Sequence, residues 1–129
     1  MLNFSFSDRE QQQLARLGVR FLALFGSQAQ NIAGPASDVD VLVSGPDNKQ
    51  VYDAVYDLLS AKIKRLVDID IVFKQSAPLE LLEHVNRCGR IIYSQNQRDF
   101  ADFRQQVMLD YSDFAPYRRL FQQATLARI

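Results

Sequence analysis

Two short segments of this chain alternate acid and aliphatic residues, and they restrict its fold more than any other feature. They are Ser37-Asp38-Val39-Asp40-Val41-Leu42-Val43 and Leu66-Val67-Asp68-Ile69-Asp70-Ile71-Val72-Phe73. A period of two is that of a β-strand, so Val39, Val41 and Val43 take one face and Asp38 and Asp40 the other, about 6.5–7 Å apart along the strand, and the second segment repeats the arrangement. Aspartate is among the least favoured strand residues, because its short side chain competes for backbone hydrogen bonds and packs poorly on a pleat. If the two strands are neighbours, at about 4.8 Å, three or four carboxylates meet on one patch. Like charges that close raise one another's pKa and cost stability, and a divalent cation is their natural counter-ion. An all-oxygen donor set suits Mg²⁺, or Mn²⁺, and does not suit zinc. Without a ligand the same acids form a solvated face; it is the repetition of Asp-x-Asp that favours the metal.

The rest of the chain alternates helices with strands. Ser7-Asp8-Arg9-Glu10 is a capping box that opens a polar amphipathic helix to about Leu17, closed by Gly18. Val19 to Phe25 is a nearly continuous apolar run, the pattern of a strand covered on both faces, and it ends at Gly26-Ser27. Asp38 to Val43 is the second strand, stopped by the turn Gly45-Pro46-Asp47-Asn48. Val51, Val55, Leu58 and Leu59 mark a helix over 49–63, Val67 to Phe73 a third strand, and Pro78 opens a helix ending near Cys88-Gly89. Ile91 to Tyr93 is a short strand. From about Gln97, Phe100, Phe103, Val107, Tyr111 and Phe114 give a helix an aromatic face, and Pro116 is expected to interrupt it near Ala115. The expectation is one α/β (α+β) domain spanning 1–129, a small mixed sheet flanked by helices, with a helical tail over about 97–129.

Composition narrows the function. Fifteen basic and fifteen acidic residues give a net charge of zero, which argues against direct nucleic-acid binding or attraction to an anionic membrane. No apolar run reaches the ~20 residues of a spanning helix, and the opening residues lack a signal-peptide pattern. The lone Cys88 excludes an internal disulfide and suits a reducing cytoplasm. His84, among Leu81, Leu82 and Val85, reads as a structural or surface histidine, and Cys88, beside Gly89, as a small packing residue.

The turn Gly26-Ser27 can offer backbone N–H groups and a hydroxyl to an anion, since glycine has no Cβ to hold the ligand away. Alone it is a weak signal, and it is neither a Walker loop nor a dinucleotide fingerprint. Its weight comes from its neighbours in the chain: the stretch GSQAQNIAGPASDVDVLV links a phosphate turn to an acidic strand, with a further acid on a later strand. This pattern resembles the minimal nucleotidyltransferases of the DNA polymerase β-like superfamily. The segment LVDIDIVFKQSAPLELLEHVNRCGRIIY resembles that family's third-carboxylate strand, helix and closing strand, and YSDFAP resembles a stretch of its antitoxin-like members.

The resemblance implies a nucleotidyltransferase fold in which Gly26 and Ser27 contact the triphosphate of ATP. It implies that Asp38 and Asp40 bind two Mg²⁺ ions and that Asp70 is the third carboxylate, with Asp68 its competitor on the same face. It further implies transfer of AMP to a hydroxyl, a tyrosine on a helical HEPN-type toxin partner, by the antitoxin of a toxin–antitoxin pair. The tail with Phe114, Tyr117, Leu120 and Phe121 beside Arg118 and Arg119 would help hold that partner, or else complete the domain's own core. Self-association stays open. One departure stands out: where the family carries Arg-Gly after the alanine, this chain has Gln30 and Asn31 after Ala29. That departure keeps a second reading in view, an antitoxin that acts by binding alone. A third reading, an aminoglycoside-type small-molecule transferase, would need an added acceptor domain.

Overall fold

The computed structural model describes residues 4–26, 38–63 and 67–127, with side chains described through residue 113. Helix α1 spans Asp8–Arg16, and its capping box forms: the Ser7 hydroxyl accepts from Glu10 N–H and the Glu10 carboxylate from Ser7 N–H. The expected strand over 19–25 is shorter, β1 at Phe21–Phe25. Val19 is fully buried, yet its N–H donates to the carbonyl of Leu14, so its apolar character serves the core and not the ladder.

Strand β2 is Val39–Ser44, and Asn48 caps helix α2 at Lys49–Lys62 by accepting from Val51 N–H. Strand β3 is Ile69–Phe73, succeeded by a 3₁₀ turn at Lys74–Ser76 and by helix α3 at Leu79–Cys88, which ends at Gly89. Strand β4 is Arg90–Ser94. The sheet order is β3-β2-β1-β4; β1 is antiparallel to β2 and β4, whereas β2 and β3 are parallel and joined through α2. A parallel pair cannot be closed by a hairpin, which is why a whole helix lies between the two acidic strands.

Both faces of the sheet are covered. One packs on α1 and α2, with Leu22, Leu24, Val39, Val41 and Val43 against Leu14, Val51, Val55 and Leu59. The other packs on α3 and on helix α4, with Phe21, Ala23, Phe25 and Leu42 against Val85, Phe103 and Val107. Helix α4 runs from Gln97 to Ala127 and corrects the expectation of a break at Pro116. Proline inside a helix removes one N–H and crowds a carbonyl one turn back, but a helix already nucleated by packed turns can absorb the loss of one bond.

The aromatic stripe at the start of α4 is core. Phe103 is 3% exposed, its ring centroid 5.2 Å from Phe21 and 5.7 Å from Phe100. Phe103→Ala is therefore expected to destabilise the chain by about 3–5 kcal/mol. An unchanged midpoint in urea unfolding would show that α4 is not part of this core.

Candidate active site

The acidic residues gather at one end of the sheet, where β1 finishes and β2 and β3 begin. Asp40 lies opposite Phe25 in the β1/β2 ladder and opposite Asp70 in the β2/β3 ladder. On the same face, one step further along each strand, stand Leu42 and Val72 of the apolar layer against α3 and α4. The carboxylates thus sit where that layer runs out. Asp38 precedes β2 and is exposed; Asp70 is exposed and Asp40 half-buried.

Asp40 carries the electrostatic load of the site. Its carboxyl pKa is raised, first by burial, then by the charge of Asp70 and a hydrogen bond with the Asp70 carboxyl, and last by the charge of Asp38. Two acids that share a hydrogen bond need a proton between them, or a cation in its place. Asp68 differs from Asp70 in role: its carbonyl accepts from Val39 N–H at 2.9 Å, just ahead of the paired strand, and its side chain is exposed. Alternation puts both on one face; the cross-strand register puts only Asp70 beside Asp40.

Gly26 closes the third side. Its φ of +74° is a left-handed conformation that L side chains rarely adopt, and a Cβ there would lie 2.6 Å from Asp40 Oδ2. The glycine is needed by the carboxylate as much as by the turn, a contact that no sequence spacing reveals. Ser27, Ala29, Gln30 and Asn31 lie outside the described residues.

The donor chemistry fits a hard divalent cation: only carboxylate oxygens, two of them on directly opposed strand residues, with Gly26 leaving room for the Asp40 carboxylate. Among the described residues no three His, Cys, Asp or Glu side chains form a ready-made metal cluster. The tight unit is the Asp40–Asp70 pair, with Asp38 acting on it through its charge. Among the described residues no histidine or thiol joins these acids; His84 is half-buried on α3, and Cys88 is that helix's last residue. A cavity of about 360 Å³ at the other end of β2, lined by Arg20, Ser44, Lys74 and Asp99, shares no residue with the acids. Among the described residues no helix is long and apolar enough to cross a membrane.

Residues 11–98 match the family model described as polymerase beta, nucleotidyltransferase. No curated protein has a sequence that matches the chain significantly. Among solved structures the fold is shared with a toxin–antitoxin crystallised with AMP-PNP, at a TM-score of 0.71 and 22% identity, covering 94% of this chain and 99% of that one. It is also shared with the MntA–HepT toxin–antitoxin, at a TM-score of 0.63 and 20% identity over 93% and 99% of the two chains. A structure of a tri-AMPylated Shewanella oneidensis HEPN toxin in complex with an MNT antitoxin matches at a TM-score of 0.63 and 20% identity, over 92% and 97%.

The geometry of Asp40 and Gly26 can be tested through stability. An acid whose pKa is higher folded than unfolded favours the fold only while protonated and becomes a cost as pH rises through its folded value. Asp40→Asn is therefore expected to melt above the wild type at pH 7 in chelator, the gap closing as pH falls below about 4, the unfolded range. A variant that melts at or below the wild type across this range would remove the repulsion from the account. Gly26→Ala should lose about 1–2 kcal/mol through its backbone alone and displace the Asp40 carboxylate as well. Denaturant titration giving the wild-type stability would contradict the left-handed turn.

Proposed function

This chain belongs to the polymerase β nucleotidyltransferase family, and on that premise we propose that it transfers AMP from ATP to a hydroxyl of a partner protein. In that step the hydroxyl oxygen bonds to the α-phosphorus as the bond from that phosphorus to the β-phosphate breaks, pyrophosphate leaves, and the hydroxyl proton passes to solvent. The observation that carries the reading is the Asp40–Asp70 pair, two acids held side by side at a strand end with Asp38 close enough to act on them.

Asp38, Asp40 and Asp70 would hold two Mg²⁺ ions, or Mn²⁺. When bound, such ions lower the pKa of an attacking hydroxyl and stabilise charge developing at the α-phosphorus. The chain's own residues do the rest. Asp40 and Asp70 present oxygens in a fixed relation, because each is locked in a strand of the same ladder. Gly26 leaves room for the Asp40 carboxylate at the end of β1, and Gly26 with the adjoining hydroxyl of Ser27 would contact the triphosphate. Asp70 is preferred to Asp68 as third carboxylate, since it pairs with Asp40 across the ladder while Asp68 stands ahead of the paired strand.

For the acceptor, the structural neighbours supply the lead: one is a HEPN toxin carrying AMP groups, held by its antitoxin. We take the acceptor of this chain to be a helical HEPN-type toxin, its tyrosine hydroxyl the nucleophile, and this chain the antitoxin of the pair. Gln30 and Asn31, in place of an arginine and a glycine, favour a second reading in which the chain neutralises its partner by binding alone.

Incubation with ATP, Mg²⁺ and the HEPN-type protein encoded beside it, and then intact-mass measurement of that protein, tests the proposal. Mass increments of whole AMP groups are expected. They should fall by roughly 10²–10³-fold or more in Asp40→Asn and Asp70→Asn, and change little in Asp68→Asn. Wild-type transfer by Asp70→Asn would dismiss the third-carboxylate role. Neutralisation of the toxin without any mass change would leave the binding reading in its place.

A further inference from the structure

We propose that the groove between α1 and α2 is a docking site for an acidic helical segment of a partner protein. The groove has a volume of about 560 Å³, and the donors that line it are Arg9, Gln12, Gln13, Arg16 and Gln50. Leu17 and Ala54 provide its apolar floor, and among the described residues no acid lines it. Of the nearest acids in sequence, Asp8, Glu10 and Asp53, none lines it: Glu10 is paired with Lys62, and Asp8 and Asp53 are exposed.

The cations are uncommitted. Elsewhere Lys62 pairs with Glu10 at 2.9 Å, Arg87 with Glu83, and Arg20 with Asp99. Among the described residues neither Arg9 nor Arg16 has an ion-pair or hydrogen-bond partner, and the side-chain amides of Gln12, Gln13 and Gln50 have none either. In a chain with as many acids as bases, two free guanidiniums beside three free amides are a local surplus of donors.

The spacing suits a helix. Arg9 and Arg16 are seven residues apart on α1, about 10 Å along its axis, so carboxylates two turns apart on an opposing helix reach both. An apolar side chain between those carboxylates would meet Leu17 and Ala54, as in helix-in-groove recognition. Single-stranded nucleic acid fits less well: among the described residues no aromatic side chain lines the groove to stack a base, and the chain has no net positive charge to attract a phosphate backbone.

The groove is also preformed. α1 is fixed at its start by the capping box and by Glu10 reaching Lys62 in the last turn of α2, while Leu14 is fully buried beneath it. Docking therefore needs no reordering of the two helices. It needs neither nucleotide nor cation, so its failure and the failure of AMP transfer are read separately.

Fluorescence anisotropy on the full chain tests this, using a labelled alanine-based helical peptide with glutamates two turns apart and a leucine between them. Saturable binding that weakens with salt is expected. It should be lost by about tenfold or more in Arg9→Glu/Arg16→Glu and kept in Arg98→Glu, an exposed arginine on α4, with circular dichroism confirming that both variants fold. Equal binding by the lysine counterpart of the peptide, no effect of the double reversal, or no saturation up to millimolar peptide would overturn the proposal. Equal binding by a proline-broken peptide of the same composition would overturn its helical part. Competition by oligouridylate at equal strength would reassign the groove to nucleic acid.

Discussion

The pairing of β2 with β3 governs the rest of this molecule. On the face toward α1 and α2, Val39 lies opposite Ile69, Val41 opposite Ile71, and Val43 opposite Phe73. A slip of one residue would turn a whole apolar set away from the core, so burial fixes this register strongly. The same register leaves Asp40 no position except beside Asp70. The repulsion at the site is thus enforced by hydrophobic packing on the opposite face of the same strands. The carboxylates cannot move apart without unpacking valines that are fully buried.

Such an arrangement stores an affinity for positive charge. The raised pKa of Asp40 records the cost in the absence of a cation: burial, the charge of Asp70 and the charge of Asp38 all disfavour its ionised form. Gly26 belongs to the same constraint, because a side chain at that turn would occupy the space the Asp40 carboxylate uses. Polar groups held in a rigid ladder need little reorganisation when a ligand arrives, and that is the form of preorganisation on which electrostatic catalysis depends.

Much of the fold was legible because its signals are local. The Ser7–Glu10 capping box, the Asn48 cap after the Gly45-Pro46 turn and the stop at Gly89 all involve residues within a few positions of one another. The two Asp-x-Asp strands were legible for a different reason: acids at strand periodicity are unfavourable enough to demand a purpose. Failures came where distant contacts decide. Val19 is apolar because it packs in the core outside the ladder, and α4 continues through Pro116 although the local rule expects a stop. Asp68 and Asp70 are indistinguishable by period and distinct by partner. The tightness of Gly26 against Asp40 joins residues fourteen positions apart that only the sheet brings together.

The groove lined by Arg9, Arg16 and Gln50 was illegible for the same reason, since its donors come from two helices separated by two strands. A net charge of zero speaks against long-range attraction to a polyanion, but it says nothing about segregation of charge over a few ångströms. In this chain the two candidate sites differ in sign, although exposed Asp8, Asp53 and Asp57 also stand on α1 and α2. Asp38, Asp40 and Asp70 meet at one end of the sheet on the face shared with α3 and α4, and Arg9 and Arg16 line the groove between the helices on the opposite face. A protein held at the groove would therefore have to reach around the end of the sheet to bring an acceptor hydroxyl to Asp40 and Asp70. Under the proposed transfer, an extended partner presenting a mobile tyrosine would meet that geometry, and a compact small molecule, which has no contact to make at the groove, would draw nothing from it.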